Sequence, residues 1–155
     1  IFRMKNKRKA MCIIWWIYIV LLFLIVVIKF RGSFSELRER MNYYSMENSI
    51  NYNLVPFKSI GSQIMHISES WALINLLGNI VPFVPFGFLL PIAYKRINSF
   101  VKVFTVGLLS VILIEVFQFI TKLGSFDVDD IMLNSIGIII GYFLIWLVNR
   151  FIIKE

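Results

Sequence analysis

Four long apolar stretches alternate with shorter polar segments along the chain. They run roughly from residue 11 to 28, from 71 to 94, from 100 to 121 and from 131 to 153. A helix needs about 20 predominantly apolar residues to cross the hydrocarbon core of a bilayer, and each stretch has about that length. The pattern therefore predicts an all-α integral membrane protein with four transmembrane helices.

Composition supports this class. Of the 155 residues, 59% are hydrophobic and only 16% are charged, whereas an ordinary soluble domain carries about 25% charged residues. The first stretch follows the basic run "KNKRK", but it is longer than a typical signal-peptide core and no small-x-small cleavage site follows it. We therefore expect an uncleaved anchor. The single cysteine, Cys12, excludes an internal disulfide framework, and we expect it to be a small lipid-facing residue.

The chain divides into four segments. These are a basic N-terminus at 1–10, the first transmembrane anchor at 11–30, a polar loop at 31–70 and a three-helix core at 71–153. Within the loop, "SELRERM" predicts a short surface helix. His66 is the only histidine and has no partner at metal-ligand spacing, so we expect a solvated side chain. We therefore assign no metal ligand and predict no cofactor.

Basic residues are distributed unevenly around the four stretches. The N-terminus, the connection between the second and third stretches and the C-terminus together carry ten Lys or Arg residues and one acidic residue; the other side carries six basic and seven acidic residues. Because an excess of Lys and Arg marks cytoplasmic loops, we expect both termini inside and the loop at 31–70 outside. The overall basicity thus reflects topology and anionic lipid, and it does not indicate nucleic-acid binding.

The second stretch contains residues that break helices. "LINLLGNIVPFVPFGFLLP" includes Pro82, Pro85 and Pro91 together with Gly78 and Gly87. An internal proline removes one backbone hydrogen bond and crowds the carbonyl four residues back. Broken backbone at membrane depth is tolerated only where protein or a wet cavity satisfies the freed groups. We predict a kinked or discontinuous helix packed inside the bundle; a kink that only shapes packing is the alternative.

Polar side chains within the apolar stretches gather near the predicted outer face. On the predicted topology, three helices bring seven of them to similar depth, namely Asn75, Asn79, Glu115, Gln118, Asp127, Asp130 and Asn134. A buried carboxylate in a membrane helix is rare and indicates a functional site by default. We predict that these seven residues form a ligand-binding pocket.

One stripe of the fourth helix combines polar and small residues. At about 100° per residue, the stripe holds Asp127, Asp130, Asn134, Gly137 and Gly141, while Asp129 points nearly the opposite way. The glycines allow another helix to approach closely. We expect that helix to place its own polar groups against the stripe.

Helix capping is a rival interpretation of these aspartates. Asp127 suits an N-cap, and Asp130 lies three residues further on, as in a capping box. Acidic residues also complement the dipole at a helix start. Capping does not explain Glu115 or Asn79, which lie inside the apolar stretches; structural pairing of Glu115, for example with Lys122, is an alternative for that residue.

Four motifs together resemble those of a known family. The motifs are "NLVPF", "NLLGNIVPFVPFGFLLP", "EVFQFI" and "FDVDDIMLNSIGIIIGY", and in this order and spacing they are similar to the VanZ-like family of bacterial membrane proteins, from about residue 53 to 142. The family's recurring polar positions correspond to Asn79, Glu115, Gln118, Asp127, Asp130 and Asn134, and its structural marks to Pro82, Pro85, Gly87, Gly137 and Gly141. The resemblance implies a protein of the bacterial cytoplasmic membrane with a role in resistance to teicoplanin-type glycopeptides. It implies no settled mechanism.

Three functions stay open from the sequence. The first is a pocket at the outer leaflet that binds a lipid headgroup, a lipid-linked wall precursor or a lipoglycopeptide. The second is an intramembrane enzyme acting on a lipid-linked substrate, in which Glu115 and Asp130 or Asp127 serve as general acid and base, or hold a divalent cation with Asn134. No His pair, positioned cysteine or nucleophile motif supports the enzyme. The third is a non-catalytic partner of wall-synthesis machinery.

Overall fold

The computed structural model describes residues 2–27, 38–39, 41–42, 45–46 and 52–151. The helices named below are α1 (Phe2–Leu22), α2 (Lys58–Met65), α3 (Ser70–Ile80), α4 (Val84–Ala93), α5 (Phe100–Thr121) and α6 (Val128–Phe151). A π-helical turn at Phe23–Val27 continues α1, and two short strands are formed by Tyr52–Asn53 (β1) and Phe126–Asp127 (β2). Most of the surface helix predicted at residues 35–41 lies outside the described residues.

The four predicted helices of membrane-spanning length are confirmed. Within the described part of the chain, four helical segments are long and apolar enough to cross a membrane: Lys9–Val26, Ser70–Ala93, Phe100–Thr121 and Val128–Phe151. The last begins three residues before the predicted start, because Val128, Asp129 and Asp130 already belong to the helix. Many large apolar side chains on these segments face outward, with Leu113 and Ile120 more than half exposed. Such a surface suits a bilayer, because lipid acyl chains can contact the apolar side chains that point away from the bundle.

Helix α6 forms the centre of the bundle. It packs against α3, α5 and most extensively α4, and α1 packs against α4. Gly87 of α4 and Gly141 of α6 lie where the two backbones meet, and a Cβ at either position would overlap backbone atoms of the facing helix. Gly137 faces the Ile80 carbonyl at the end of α3 in the same way. The close helix approach predicted from Gly137 and Gly141 is therefore confirmed.

The second span consists of two α-helical halves joined by a 3-10 turn at Val81–Phe83. Pro85 occupies the first turn of α4, where its missing N–H would have no intrahelical partner anyway. The Tyr18 hydroxyl of α1 donates a 2.8 Å hydrogen bond to the Pro82 carbonyl, and Phe83 is fully buried. Protein side chains thus contact the irregular backbone on the side that faces the bundle, as is required at membrane depth.

The basic segments meet at one end of the bundle. In the middle of α1, the Cys12 thiol lies 3.7 Å from the Ala93 carbonyl, and the Trp15 ring packs edge-on against Tyr94. Cys12 is half-buried against α4 rather than facing lipid as expected, because α1 and α4 pack together here. The α4–α5 connection also lies beside the C-terminal half of α6, where the Tyr142 hydroxyl donates a 3.4 Å hydrogen bond to the Asn98 carbonyl. This is the end that the charge pattern predicts to be cytoplasmic.

Candidate functional site

A short parallel strand pair joins the segment that precedes α2 to the start of α6. Tyr52 pairs with Phe126, and Asn53 pairs with Asp127. Beside this pair, the Asn53 amide donates a 3.0 Å hydrogen bond to Oδ1 of Asp127. The Ser59 hydroxyl donates a 2.5 Å bond to Oδ2 of the same carboxylate. The loop is therefore held against the membrane helices by side chains of both segments.

Asn53 and Ser59 are not among the site residues predicted from the sequence. Both lie in a segment rich in Asn and Ser, where a further polar residue does not stand out. Polar side chains mark a site inside an apolar helix because burial there is costly, but the same argument has no force in a solvated loop. The available signal was the position of Asn53 at the start of the "NLVPF" motif.

Asp127 caps α6, and Glu115 completes the cap. Oδ1 of Asp127 accepts the Asp129 backbone N–H at 2.9 Å, as an N-cap residue does. In a capping box the acidic residue three positions on accepts the backbone N–H of the N-cap. Here Oε2 of Glu115, on α5, accepts that Asp127 N–H at 3.2 Å. Glu115 is only 2% exposed, and the expectation that no helix end explains it is wrong.

Asp130 pairs with a different helix. The Asn79 amide of α3 donates a 2.5 Å hydrogen bond to Oδ1 of Asp130. Asp130 occupies the capping-box position in the sequence, but Glu115 fulfils that role, and Asp130 projects toward α3 instead. The approach of α3 follows from Gly137, which lies under the last carbonyl of that helix. The expected meeting of polar groups across the glycine stripe is confirmed for Asn79 and Asp130.

Asp129 supplies a helix cap across a long sequence separation. Its Oδ1 accepts the Phe57 backbone N–H at 2.6 Å, and its Oδ2 accepts those of Ser59 and Ile60 at 2.7 and 3.1 Å. These donors belong to the first turn of α2, whose N-cap Phe57 has φ 65° and makes no side-chain cap bond. The first N–H groups of a helix lack intrahelical partners and favour a negative charge nearby. Asp129 is fully buried and anchors α2 to α6.

The loop, α3, the end of the first span and the start of α6 enclose a cleft of about 390 Å³. Its polar lining consists of Ser59, Gln63, Asn75, Asn79, Asp127 and Asp130, and its apolar lining of Ile25, Val26, Ile74 and Gly78. Four of the seven predicted site residues thus lie around one cavity. Asn75 is exposed and Asp130 is half-buried, so both present polar atoms to the cleft.

The other three predicted residues lie behind the cleft. Glu115 is at the α6 cap, and Gln118 donates a 2.8 Å hydrogen bond to the Val26 carbonyl, near the end of the first span where helix carbonyls lack partners. Asn134 is 1% exposed, one turn beyond Asp130. Among the residues that the structure describes, its side-chain amide has no hydrogen-bond partner. None of these three residues belongs to the cavity lining.

The arrangement favours hydrogen bonding over metal binding. The carboxylates of Asp127 and Asp129 each accept three hydrogen bonds from the protein. Within the described ranges, no three His, Cys, Asp or Glu side chains are grouped as a metal ion requires. The cleft offers amides, a hydroxyl and the Asp130 carboxylate, which together accept and donate hydrogen bonds.

Comparison with known proteins is consistent with this architecture. Protein VanZ of Enterococcus faecium is 30% identical over 112 residues, an alignment that covers 69% of this chain and 63% of that protein. The chain thus spans less than two thirds of the length of this relative. No solved structure matches the chain. A model of the VanZ/LLP1 family matches residues 15–149, which include the cleft and nearly all of the four membrane segments, and the chain therefore belongs to the VanZ/LLP1 family.

Proposed function

We propose that this protein binds a lipid-linked wall precursor or a lipid-tailed glycopeptide in its polar cleft. By doing so at the outer leaflet, it protects bacteria against teicoplanin-type antibiotics. The observation that carries the proposal is the cleft of about 390 Å³, which is polar and opens at the opposite end of the bundle from the basic segments. Family membership supports the link to resistance, since one relative is named Protein VanZ.

The proposal includes an orientation in the bacterial cytoplasmic membrane. Both termini and the α4–α5 connection lie in the cytoplasm, the cleft faces outward, and the second span bends at its 3-10 turn. The support is the concentration of Lys and Arg at one end of the bundle, which is the cytoplasmic end in most membrane proteins. Glycopeptides act outside the cell, so a cleft on that side reaches their targets directly.

Thiol labelling tests this orientation. In a Cys12→Ser background, single cysteines are introduced as Ser49→Cys and Ser99→Cys. We expect a membrane-impermeant thiol reagent to label the cysteine at 49 in intact cells, and to label that at 99 only after permeabilisation, because a charged reagent does not cross the bilayer. The reverse pattern would contradict the outward-facing cleft.

The cleft chemistry favours a ligand with hydroxyl or amine groups. Asn75 is exposed at the cavity, and its amide both donates and accepts hydrogen bonds. The Asp130 carboxylate accepts hydrogen bonds and attracts a cation. Ile25, Val26 and Ile74 provide an apolar wall beside these groups. A headgroup attached to an acyl or prenyl chain has both parts of this complementarity.

The geometry favours binding over intramembrane catalysis. General acid–base chemistry needs carboxyl groups within hydrogen-bond reach of the substrate. Glu115 lies outside the cavity lining and accepts the Asp127 backbone N–H, while the Asp127 carboxylate accepts three hydrogen bonds. Of the two acidic residues in the cavity lining, Asp127 forms the α6 cap, whereas Asp130 accepts a hydrogen bond from Asn79.

Replacing Asn75 tests the binding function. Asn75→Leu removes the amide and fills part of the cleft without breaking any of the bonds that hold α2, α3 and α6 together. The loss of one hydrogen bond costs about 1 kcal/mol, which corresponds to about a fivefold loss of affinity. We expect a comparable fall in the teicoplanin concentration that expressing cells tolerate, measured at matched protein levels.

The matched control is Leu73→Ala on the same helix, since Leu73 is exposed and lies outside the cavity lining. It is expected to leave protection intact. Full protection by Asn75→Leu would overturn the cleft as the binding site. Absence of protection by the wild-type chain in a susceptible host would overturn the link to teicoplanin.

A further inference from the structure

We propose that the basic end of the bundle carries a second site, which binds the headgroup of an anionic phospholipid. A cavity of about 370 Å³ lies between the α4–α5 connection and the C-terminal half of α6. Its polar lining includes Lys95 and Asn98 from the connection and Tyr142, Trp146 and Asn149 from α6. This cavity is separate from the outer cleft and shares no lining residue with it.

The surroundings of the cavity are positively charged. Lys95 is exposed at its rim, and the Arg150 guanidinium lies 5.1 Å from the centre of the Trp146 ring. The sequence contains no acidic residue between Glu69 and Glu115, nor from residue 131 to 151. The segments that form the cavity therefore carry cations without acidic neighbours in sequence, and a phosphate group complements them.

The depth and shape of the cavity fit a lipid. Trp and Tyr concentrate at the level of lipid headgroups, and Trp146 is 40% exposed while lining the cavity. The apolar side chains of Pro91, Ile92 and Ile145 complete the lining, so an acyl chain has an apolar surface next to the phosphate position. Basic pockets between membrane helices on the cytoplasmic side are typical sites for anionic headgroups. We assign the site to a membrane lipid and not to free phosphate.

Native mass spectrometry of the full chain in detergent tests the site. The protein is incubated with phosphatidylglycerol or phosphatidylcholine, and the retained lipid is counted. We expect about fivefold preferential retention of phosphatidylglycerol, since one basic residue near an anionic surface contributes about that factor. Lys95→Gln should abolish the preference, and Lys95→Arg should preserve it because the charge is kept.

Lys122→Gln is the matched control, because Lys122 is an exposed lysine at the end of α5 outside both cavities. It should leave the preference unchanged. The assignment is overturned if wild-type protein retains both lipids equally, if Lys95→Gln keeps the preference, or if Lys122→Gln loses it to the same extent. Release of phosphatidylglycerol by added inorganic phosphate would show a free-anion site instead.

Discussion

Replacing Gly141 with alanine is expected to lower both the yield and the thermal stability of the folded bundle. The added Cβ would overlap the Val84 carbonyl and crowd the Phe88 amide of α4. These are backbone atoms, so the clash is relieved only if two helices separate. Overpacking a well-packed core costs about 1–3 kcal/mol and occasionally more, and we expect the upper part of that range because α4 and α6 share the most extensive contact.

Gly78→Ala is the matched control for this experiment. Nothing lies within 4 Å of a Cβ at position 78, which is on the exposed surface of α3. Alanine is favoured over glycine in a helix by about 1 kcal/mol, so this variant should fold at least as well as the wild type. The measurement is the yield of membrane-extracted protein and its thermal unfolding temperature in detergent. Equal stability of the two variants would show that α4 and α6 do not meet at Gly141.

Replacing Asp129 with alanine is expected to release α2 from the bundle while the membrane helices stay folded. The change removes the acceptor of the backbone N–H groups of Phe57, Ser59 and Ile60. A hydrogen bond to a charged group contributes about 1.5–3 kcal/mol, so the loss exceeds the roughly 1 kcal/mol of an ordinary cap. Amide hydrogen exchange at these three positions should accelerate by at least about a hundredfold, the factor for about 3 kcal/mol.

The control for Asp129 is internal to the same measurement. Amides of α5 from Val103 to Val111, whose end residues are fully buried, should exchange as in the wild type, since they make no contact with the cap. Asp129→Asn keeps one acceptor oxygen and should give an intermediate acceleration. Unchanged exchange at Phe57, Ser59 and Ile60 in Asp129→Ala would contradict the cap. Equal acceleration in α5 would indicate global unfolding instead of local release.

Asp129 illustrates how far periodicity predicts a site. Angular positions on an ideal helix correctly separate Asp129 from the stripe of Asp130 and Gly137, but they do not say what lies on the opposite side. That side faces a loop helix about 70 residues earlier in the chain. Asp129, whose angular position excludes it from the pocket, thus anchors α2, and α2 contributes Ser59 and Gln63 to the lining of the cleft.

Glu115 also shows that the sequence pattern does not predict the partner of a buried polar residue. Its burial inside an apolar helix is correctly predicted, and rarity made it the strongest functional candidate. It accepts, however, a hydrogen bond from the backbone N–H of Asp127, and a backbone donor leaves no signature in the identity of a side chain. The order of helices α5 and α6 and the turn between them decide that this carboxylate caps its neighbour.

The sequence by itself determined the membrane class, the four spans and the close helix approach at Gly137 and Gly141. These features depend on local properties: the bilayer sets a required length of apolar chain, and a small side chain permits contact wherever a helix passes. Only the tertiary structure decided which polar groups pair. The β1–β2 pairing brings Asn53 to Asp127 across 74 residues, and a hydrogen bond depends on angstrom-scale placement that local hydropathy and spacing do not contain.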